Sequence, residues 1–229
     1  MPGTFIITGA NGNLGTAVVK KFLDEGYKVI AVDSSASHLS FASSNPAFSL
    51  HSVDLTNEKA TVEFVNNFTG NQKIDGALLL AGGFAMGGLE DTDSAALQKM
   101  YALNFETAYH ISRTLFPHLL ENGYGRIILV GARPALDHQP AKQMIAYALS
   151  KSLVFKYAEL LNQAGKGKNV TATVVVPSTI DTQVNRQSMP DANFNDWVKA
   201  EEIAAIMELI CSGKGNPLRE TVLKIYNNS

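Results

Sequence analysis

Thr8-Gly9-Ala10-Asn11-Gly12-Asn13-Leu14-Gly15, TGANGNLG in one-letter code, is the stretch that decides how this chain folds. A short apolar run, residues 4–8, precedes it. Behind it Leu14, Val18, Phe22 and Leu23 recur at helical spacing on one face, and the run stops at Gly26. A second apolar run, residues 28–32, follows. Strand, glycine-rich turn, amphipathic helix and strand make a β-α-β unit. Glycines at 9, 12 and 15 allow a tight turn and let the backbone approach a pyrophosphate, whose charge is favoured by free N–H groups at the helix N-terminus. Glycine spacing alone is weak, because any tight turn uses glycine. Its place between a strand and an amphipathic helix predicts dinucleotide binding, with Gly9, Asn11, Gly12, Asn13, Leu14 and Gly15 as the cradle.

The same alternation continues along the chain. Apolar runs at 48–53, 74–80, 126–130, 170–176 and 221–226 read as further strands, and segments 58–68, 94–120 and 143–164 have helical period. The pattern predicts an α/β fold, a doubly wound parallel sheet of seven strands with helices on both faces. The long helices are expected to break or bend, with Pro117 kinking or ending its segment. Residues 177–198 are polar, rich in Asn and Gln and without periodicity, so they read as a substrate loop. No repeat or linker interrupts the sequence, and residues 1–229 are expected to form one domain.

Composition narrows the function. The 229 residues are 45% hydrophobic and 17% charged, with a net charge of −2, which gives no basic surface for nucleic acid. No cationic leader precedes a long apolar run, and no stretch reaches the roughly 18 apolar residues of a membrane span. A cytoplasmic protein with no membrane partner is expected. The single cysteine, Cys211, cannot form an internal disulfide and reads as packing in a late helix. His38, His51, His110, His118 and His138 lack metal-ligand spacing, so no metal is expected. His138 is read either as an auxiliary acid or as a surface-loop residue.

Asp33 ends the second strand, where a carboxylate accepts hydrogen bonds from the adenosine ribose hydroxyls and repels a 2′-phosphate. No Arg or Lys follows among residues 34–37, so NAD(H) is preferred and NADP(H) remains possible. A solvated strand end is the competing account of Asp33. Asp54 in VDLT is read as an adenine contact or as a helix cap. Further on, MIAYALSK places Tyr147 and Lys151 one helical turn apart on one face. An ammonium beside a phenol favours the phenolate, and the expectation is a lowered tyrosine pKa and a hydroxyl usable as acid or base.

With these motifs the chain resembles the short-chain dehydrogenase/reductase family over essentially its whole length. The resemblance rests on TGANGNLG, Asp54, LAGG at 80–83, Asn104 in LNFETA, YALSK, and PSTIDT at 177–182. It implies a Rossmann-type sheet of order 3-2-1-4-5-6-7 and a small-molecule substrate. Tyr147 becomes the proton donor or acceptor, Lys151 the group that lowers its pKa and holds the nicotinamide ribose, and Asn104 the organiser of a water relay. Ala81, Gly82, Gly83, Pro177, Ile180 and Thr182 are implied at the cofactor. Several positions depart from the family. Ala132, in Gly131-Ala132-Arg133-Pro134, stands where the catalytic serine belongs; Asn13 replaces the middle glycine; Leu79-Leu80-Ala81-Gly82 replaces Asn-Asn-Ala-Gly; and Pro177-Ser178 replaces Pro-Gly.

GARPALD, MIAYALSK and TIDTQVNRQSMPDANFNDW are similar to the dihydropteridine reductase branch, which also has alanine at the serine position and an aromatic residue after AGG. That branch reduces a conjugated imine-type system, for which a serine holding a carbonyl oxygen is less needed. Asn104 instead matches ordinary family members. Phe84 and Trp197 are expected to line or cover a flat acceptor, Met86 and Met189 to adapt the pocket, and Arg133 and Arg186 to bind polar groups. Packing is the other account of Trp197, and a solvated surface role that of each arginine. The resemblance also implies a homodimer or homotetramer, with Phe105, Tyr109, Leu153 and Tyr157 as interface residues. A non-catalytic dinucleotide-binding redox sensor is the alternative function, compatible with the missing serine and opposed by the intact Tyr147, Lys151 and Asn104.

Overall fold

The computed structural model describes residues 3–35 and 39–228. His38, and residues 36 and 37 of the stretch 34–37 used above, lie outside them. In chain order the elements are β1 (Thr4–Thr8), α1 (Asn13–Asp24), β2 (Lys28–Asp33), β3 (Phe48–Ser52), α2 (Glu58–Thr69), β4 (Gly76–Leu79), α3 (Ser94–Tyr101), a π-helical turn (Ala102–Glu106) and α4 (Thr107–Glu121). Then come β5 (Tyr124–Val130), α5 (His138–Ala141), α6 (Ile145–Ala164), β6 (Asn169–Pro177), β7 (Ile180–Asp181), α7 (Gln183–Ser188), β8 (Val198–Lys199), α8 (Ala200–Cys211) and β9 (Val222–Ile225).

The strands form a parallel seven-stranded sheet ordered β3-β2-β1-β4-β5-β6-β9. The expected order holds, and the seventh strand carries a higher label because β7 and β8 pair separately. Successive side chains on a strand point to opposite faces. Ile6, Ile30 and Val32 therefore join Phe64, Ile111, Leu115 and Val154 on one side, while Phe5, Ile7, Val29 and Ala31 join Val18, Phe22, Ile203 and Met207 on the other. Both faces are buried, which is why the strands read as unbroken apolar runs. Under α1 the rings of Phe5, Phe22 and Tyr27 meet with centroids 5.0 to 5.5 Å apart. Cys211 is buried at the end of α8.

Two expectations need correction. Helix continues past Pro117 to Glu121; the break in regular α-helical bonding comes earlier, at the π-helical turn. Pro117 and Arg113, whose carbonyl it leaves unbonded, both lie on the exposed face. Residues 177–198 are not structureless. Ile180 pairs with Val198 and Asp181 with Lys199, closing the segment at its base. Thr182 caps α7 by accepting the Asn185 N–H at 3.1 Å, and the Asn185 amide donates to the Ile180 carbonyl at 2.8 Å. Among the described residues no helix is long and apolar enough to cross a membrane.

Candidate active site

At the β1–α1 turn Gly9 has φ +63°, a conformation that favours glycine. A Cβ there would meet the Ala81 nitrogen at 2.8 Å, and one on Gly15 would lie 2.0 Å from the Gly9 carbonyl oxygen. Gly12 caps α1, whose first turn, beginning at Asn13 and Leu14, holds no acidic residue to oppose an anion. The Asn11 amide nitrogen donates to the Ser35 carbonyl, while its buried Oδ1 has no hydrogen-bond partner. That orphaned acceptor, the close backbone and the free helix start together fit a dinucleotide. Asp33 faces this turn: its carboxylate accepts the backbone N–H of Asn11 at 3.0 Å and of Ser34 at 2.8 Å. Asp54 accepts both the N–H and the hydroxyl of Thr56, which hold its pKa below the usual carboxylate value. The cap of α2 is Asn57, so capping does not account for Asp54.

Thr8 fastens the next strand end. Its buried hydroxyl accepts the N–H groups of Leu80 and Ala81 at 3.0 and 3.1 Å, placing Ala81, Gly82 and Gly83 beside the glycine turn. The chain then crosses to the start of α6, where the Gly87 N–H donates to the Gln143 carbonyl at 2.8 Å and the Gly87 carbonyl accepts from Ile145 at 3.0 Å. This crossing sets the Phe84 ring edge-on against the Tyr147 ring, with centroids 5.1 Å apart.

Tyr147 and Lys151 share one face of α6 as expected, but the electrostatics differ from the expectation. Burial pushes the Tyr147 phenol up to about 12, and burial brings the Lys151 amine down to about 8. Lys151 Nζ donates to the Val130 carbonyl at 2.8 Å, at the end of β5. Burial, and not a neighbouring ammonium, dominates the phenol here. Asn104 sits in the π-helical turn, 2% exposed; its Oδ1 accepts the Gly83 N–H at 2.9 Å and its Nδ2 donates to Ser150 Oγ at 3.0 Å.

The expected acceptor residues divide. Phe84, Met86 and Met189 are exposed, and Ala132 lies buried in an extended conformation at the end of β5. Trp197 is only 6% exposed and packs on Phe194 with ring centroids 4.8 Å apart, so packing accounts for it and its ring is not free to cover a ligand. Arg133 stacks over Tyr226 and pairs with Asp137 at 3.7 Å. Arg186 is committed to Asp181 through two hydrogen bonds and to the Phe194 ring. Pro177 ends β6 and Ile180 is part-buried beside it. Of the described histidines, His110 bonds the Leu55 carbonyl, His118 accepts the Ile74 N–H and His51 packs on Phe64 and Phe68, while His138 begins α5 at the surface. Among the described residues no three His, Cys, Asp or Glu side chains converge as metal ligands would.

Residues 4–193 match the family model described as short chain dehydrogenase. The chain belongs to the short-chain dehydrogenase family. It is therefore an oxidoreductase of a family of NAD(P)-dependent enzymes. It is 27% identical over 234 aligned residues to a dihydropteridine reductase of Dictyostelium discoideum, covering 100% of this chain and 96% of that protein. The solved 4-hydroxyisoleucine dehydrogenase complexed with NADH superposes with a TM-score of 0.88 at 18% identity, covering 98% of this chain and 97% of that one. A candidate NAD(P)-dependent gluconate 5-dehydrogenase of Beutenbergia cavernae with bound NADP gives 0.88 at 18%, covering 98% and 95%. Both structural likenesses speak for the fold.

Within this short-chain dehydrogenase, sequence reading missed Thr8, Ser150 and Tyr226. Thr8 carried a signal, standing directly before the first glycine. Ser150 and Tyr226 meet partners remote in sequence, and no local pattern announces them.

Proposed function

We propose that this short-chain dehydrogenase reduces a small, flat, conjugated acceptor, of which quinonoid dihydropterin is the leading example, with NADH as the preferred cofactor over NADPH. The observation that carries the reading is the Phe84 ring packed edge-on against Tyr147 while 61% of Phe84 stays exposed. An exposed aromatic wall beside a phenol suits stacking of a planar ring system. Ala132 supports it, since a methyl group at the end of β5 offers no hydroxyl to a carbonyl oxygen. The relative of that name from Dictyostelium discoideum aligns over the full chain. The bound reduced nicotinamide supplies the hydride.

The chain's own groups supply the rest. Gly9, Gly12 and Gly15 admit the pyrophosphate to the start of α1, and Asp33 receives the adenosine ribose and disfavours a 2′-phosphate. Gly82, Gly83, Pro177, Ile180 and Thr182 border the nicotinamide end. Tyr147 gives its phenolic proton to one nitrogen of the quinonoid system while the hydride's electron pair and hydrogen enter the same conjugated system at another of its nitrogens, so two electrons and two hydrogens are added in all. A phenol at about 12 is fully protonated at neutral pH, as a donor must be, and Lys151 turned from Val130 toward the phenol and ribose would bring its pKa closer to neutrality. Residues 1–229 act as one domain.

A second copy of the chain is the proposed partner. Leu97, Tyr101, Leu149 and Leu153 border a groove of about 370 Å³ between α3 and α6, all of them exposed. Of the expected interface residues, Tyr109 and Leu153 remain exposed, while Phe105 packs on the core and Tyr157 bonds Ser112 at 2.8 Å. Sedimentation should give a dimer or tetramer; a monomer at micromolar concentration rejects this part.

The direct test follows NADH oxidation by absorbance with quinonoid dihydropterin for the wild type and Tyr147→Phe. Turnover that disappears in the variant while NADH affinity holds supports the reading. Tight NADH binding without turnover of any acceptor points to the dinucleotide-binding sensor instead.

A further inference from the structure

Resting on that reading, we infer that Ser150 is a positioning residue for Tyr147, acting through Asn104 on the loop that carries Gly82, Gly83 and Phe84. Four groups form one directed line. The Gly83 N–H donates to Asn104 Oδ1 at 2.9 Å, Asn104 Nδ2 donates to Ser150 Oγ at 3.0 Å, and Ser150 Oγ donates to the Tyr147 carbonyl at 2.8 Å. Only one arrangement of protons satisfies it. A backbone N–H can only donate, so the oxygen of the Asn104 amide must face Gly83; the NH2 group then faces Ser150, whose own proton is left for the Tyr147 carbonyl. Donors aligned head to tail also polarise one another.

The line crosses three elements that are separate in sequence: the chain after β4, the π-helical turn, and the first turns of α6. Asn104 and Ser150 are 2% and 3% exposed, so in the folded chain each is satisfied by the other and not by bulk water. Without the Ser150 hydroxyl, the Asn104 NH2 group keeps only the weak contact to Met100 Sδ at 3.8 Å. The site leaves little slack for the amide to turn: a Cβ on Gly82 would lie 2.6 Å from Asn104 Oδ1 and 3.4 Å from Lys151 Nζ. Ser150 thus holds the catalytic helix in register with the loop bordering both cofactor and acceptor. It does not touch the phenol and carries no proton to it. Both ends of the Asn104 side chain are thus bonded inside the protein.

The test compares Ser150→Ala, Ser150→Thr, Asn104→Ala and the double variant Asn104→Ala/Ser150→Ala by steady-state NADH oxidation with quinonoid dihydropterin, together with hydrogen exchange at the Gly83 amide. Ser150→Ala should lower kcat about tenfold with KM for NADH changed less than about twofold, and Ser150→Thr, which keeps the hydroxyl, should recover most of the loss. In the Asn104→Ala background the same change should cost less than about twofold, because the path is already cut. Gly83 should exchange faster in Ser150→Ala. Wild-type kcat in Ser150→Ala, or losses that simply multiply in the double variant, overturns the inference. Should no variant, wild type included, turn over the pterin, the proposed reaction fails, and the Gly83 amide then decides alone: faster exchange keeps the positioning line, unchanged exchange removes it.

Discussion

The cofactor half of the site and the acceptor half are built by different means. At the β1–α1 turn backbone geometry decides: Gly9 needs a positive φ, Gly15 has no space for a Cβ, and Thr8 and Asp33 bond backbone N–H groups. In the acceptor half side chains decide, with Phe84 exposed beside Tyr147, Arg133 stacked on Tyr226, and a polar segment closed at its base by two residue pairs. Backbone requirements allow few residue types at each position, so the cofactor half announces itself in sequence. Side-chain surfaces tolerate many choices, so the acceptor half, apart from Tyr147 and its spacing to Lys151, does not.

The largest expected effect breaks the acceptor half alone. Tyr147→Phe should cut pterin turnover by about two to four orders of magnitude while NADH affinity by fluorescence titration stays within about twofold. A comparable loss of NADH binding would mean that the two halves are not separable. Gly15→Ala is the converse. Its Cβ cannot coexist with the Gly9 carbonyl 2.0 Å away, and displacement of the turn should weaken NADH binding by about a hundredfold. Binding at wild-type strength would show that the cradle is not the site.

Lys151 joins the halves, and its pH response sharpens the contrast. Its folded value of about 8 lies below the ordinary 10.5, so between those values the unfolded chain holds a proton that the folded chain has released. Stability therefore rises with pH across that window, by up to about 3 kcal/mol, and the cost of the buried charge is fully present below pH 8. Tyr147 opposes this above its ordinary value of 10.0, where the unfolded chain ionises first. Denaturant unfolding from pH 7 to 10 should show the rise in the wild type and a flatter profile in Lys151→Met; equal profiles would remove Lys151 as its source. Turnover should fall as pH passes about 8 and the ammonium is lost. The smallest effect is a gain: Ala132→Ser should raise turnover of simple ketones about tenfold and leave the pterin rate within about twofold. No gain would mean that Ala132 is not the serine position.

Much of the fold was legible because the central strands are buried on both faces and so read as continuous apolar runs, while the edge strands β3 and β9 are only part-buried; all seven appear within a few residues of their expected bounds. Tyr147, Lys151 and the glycines were legible because their spacing is itself the signal. What stayed hidden depends on partners remote in sequence. Residues 177–198 look featureless because α7 is capped by Thr182 and tied back by Asn185 without a long apolar stripe. Trp197 looks like a lid but is held inside by Phe194 and the surrounding core. The direction of the Tyr147 shift is hidden because helix spacing brings the ammonium near the phenol without saying how deeply the phenol is buried, and burial raises it while the amine donates to Val130.

The most direct measurement is the initial rate of NADH oxidation by the wild-type protein with quinonoid dihydropterin beside a panel of simple ketones at matched concentrations. The account predicts pterin turnover at least about a hundredfold faster than any ketone, since a stacked planar acceptor needs Phe84 and Tyr147 but not the missing hydroxyl. Ketones reduced as fast as the pterin, or a cofactor bound tightly and never oxidised, would contradict it.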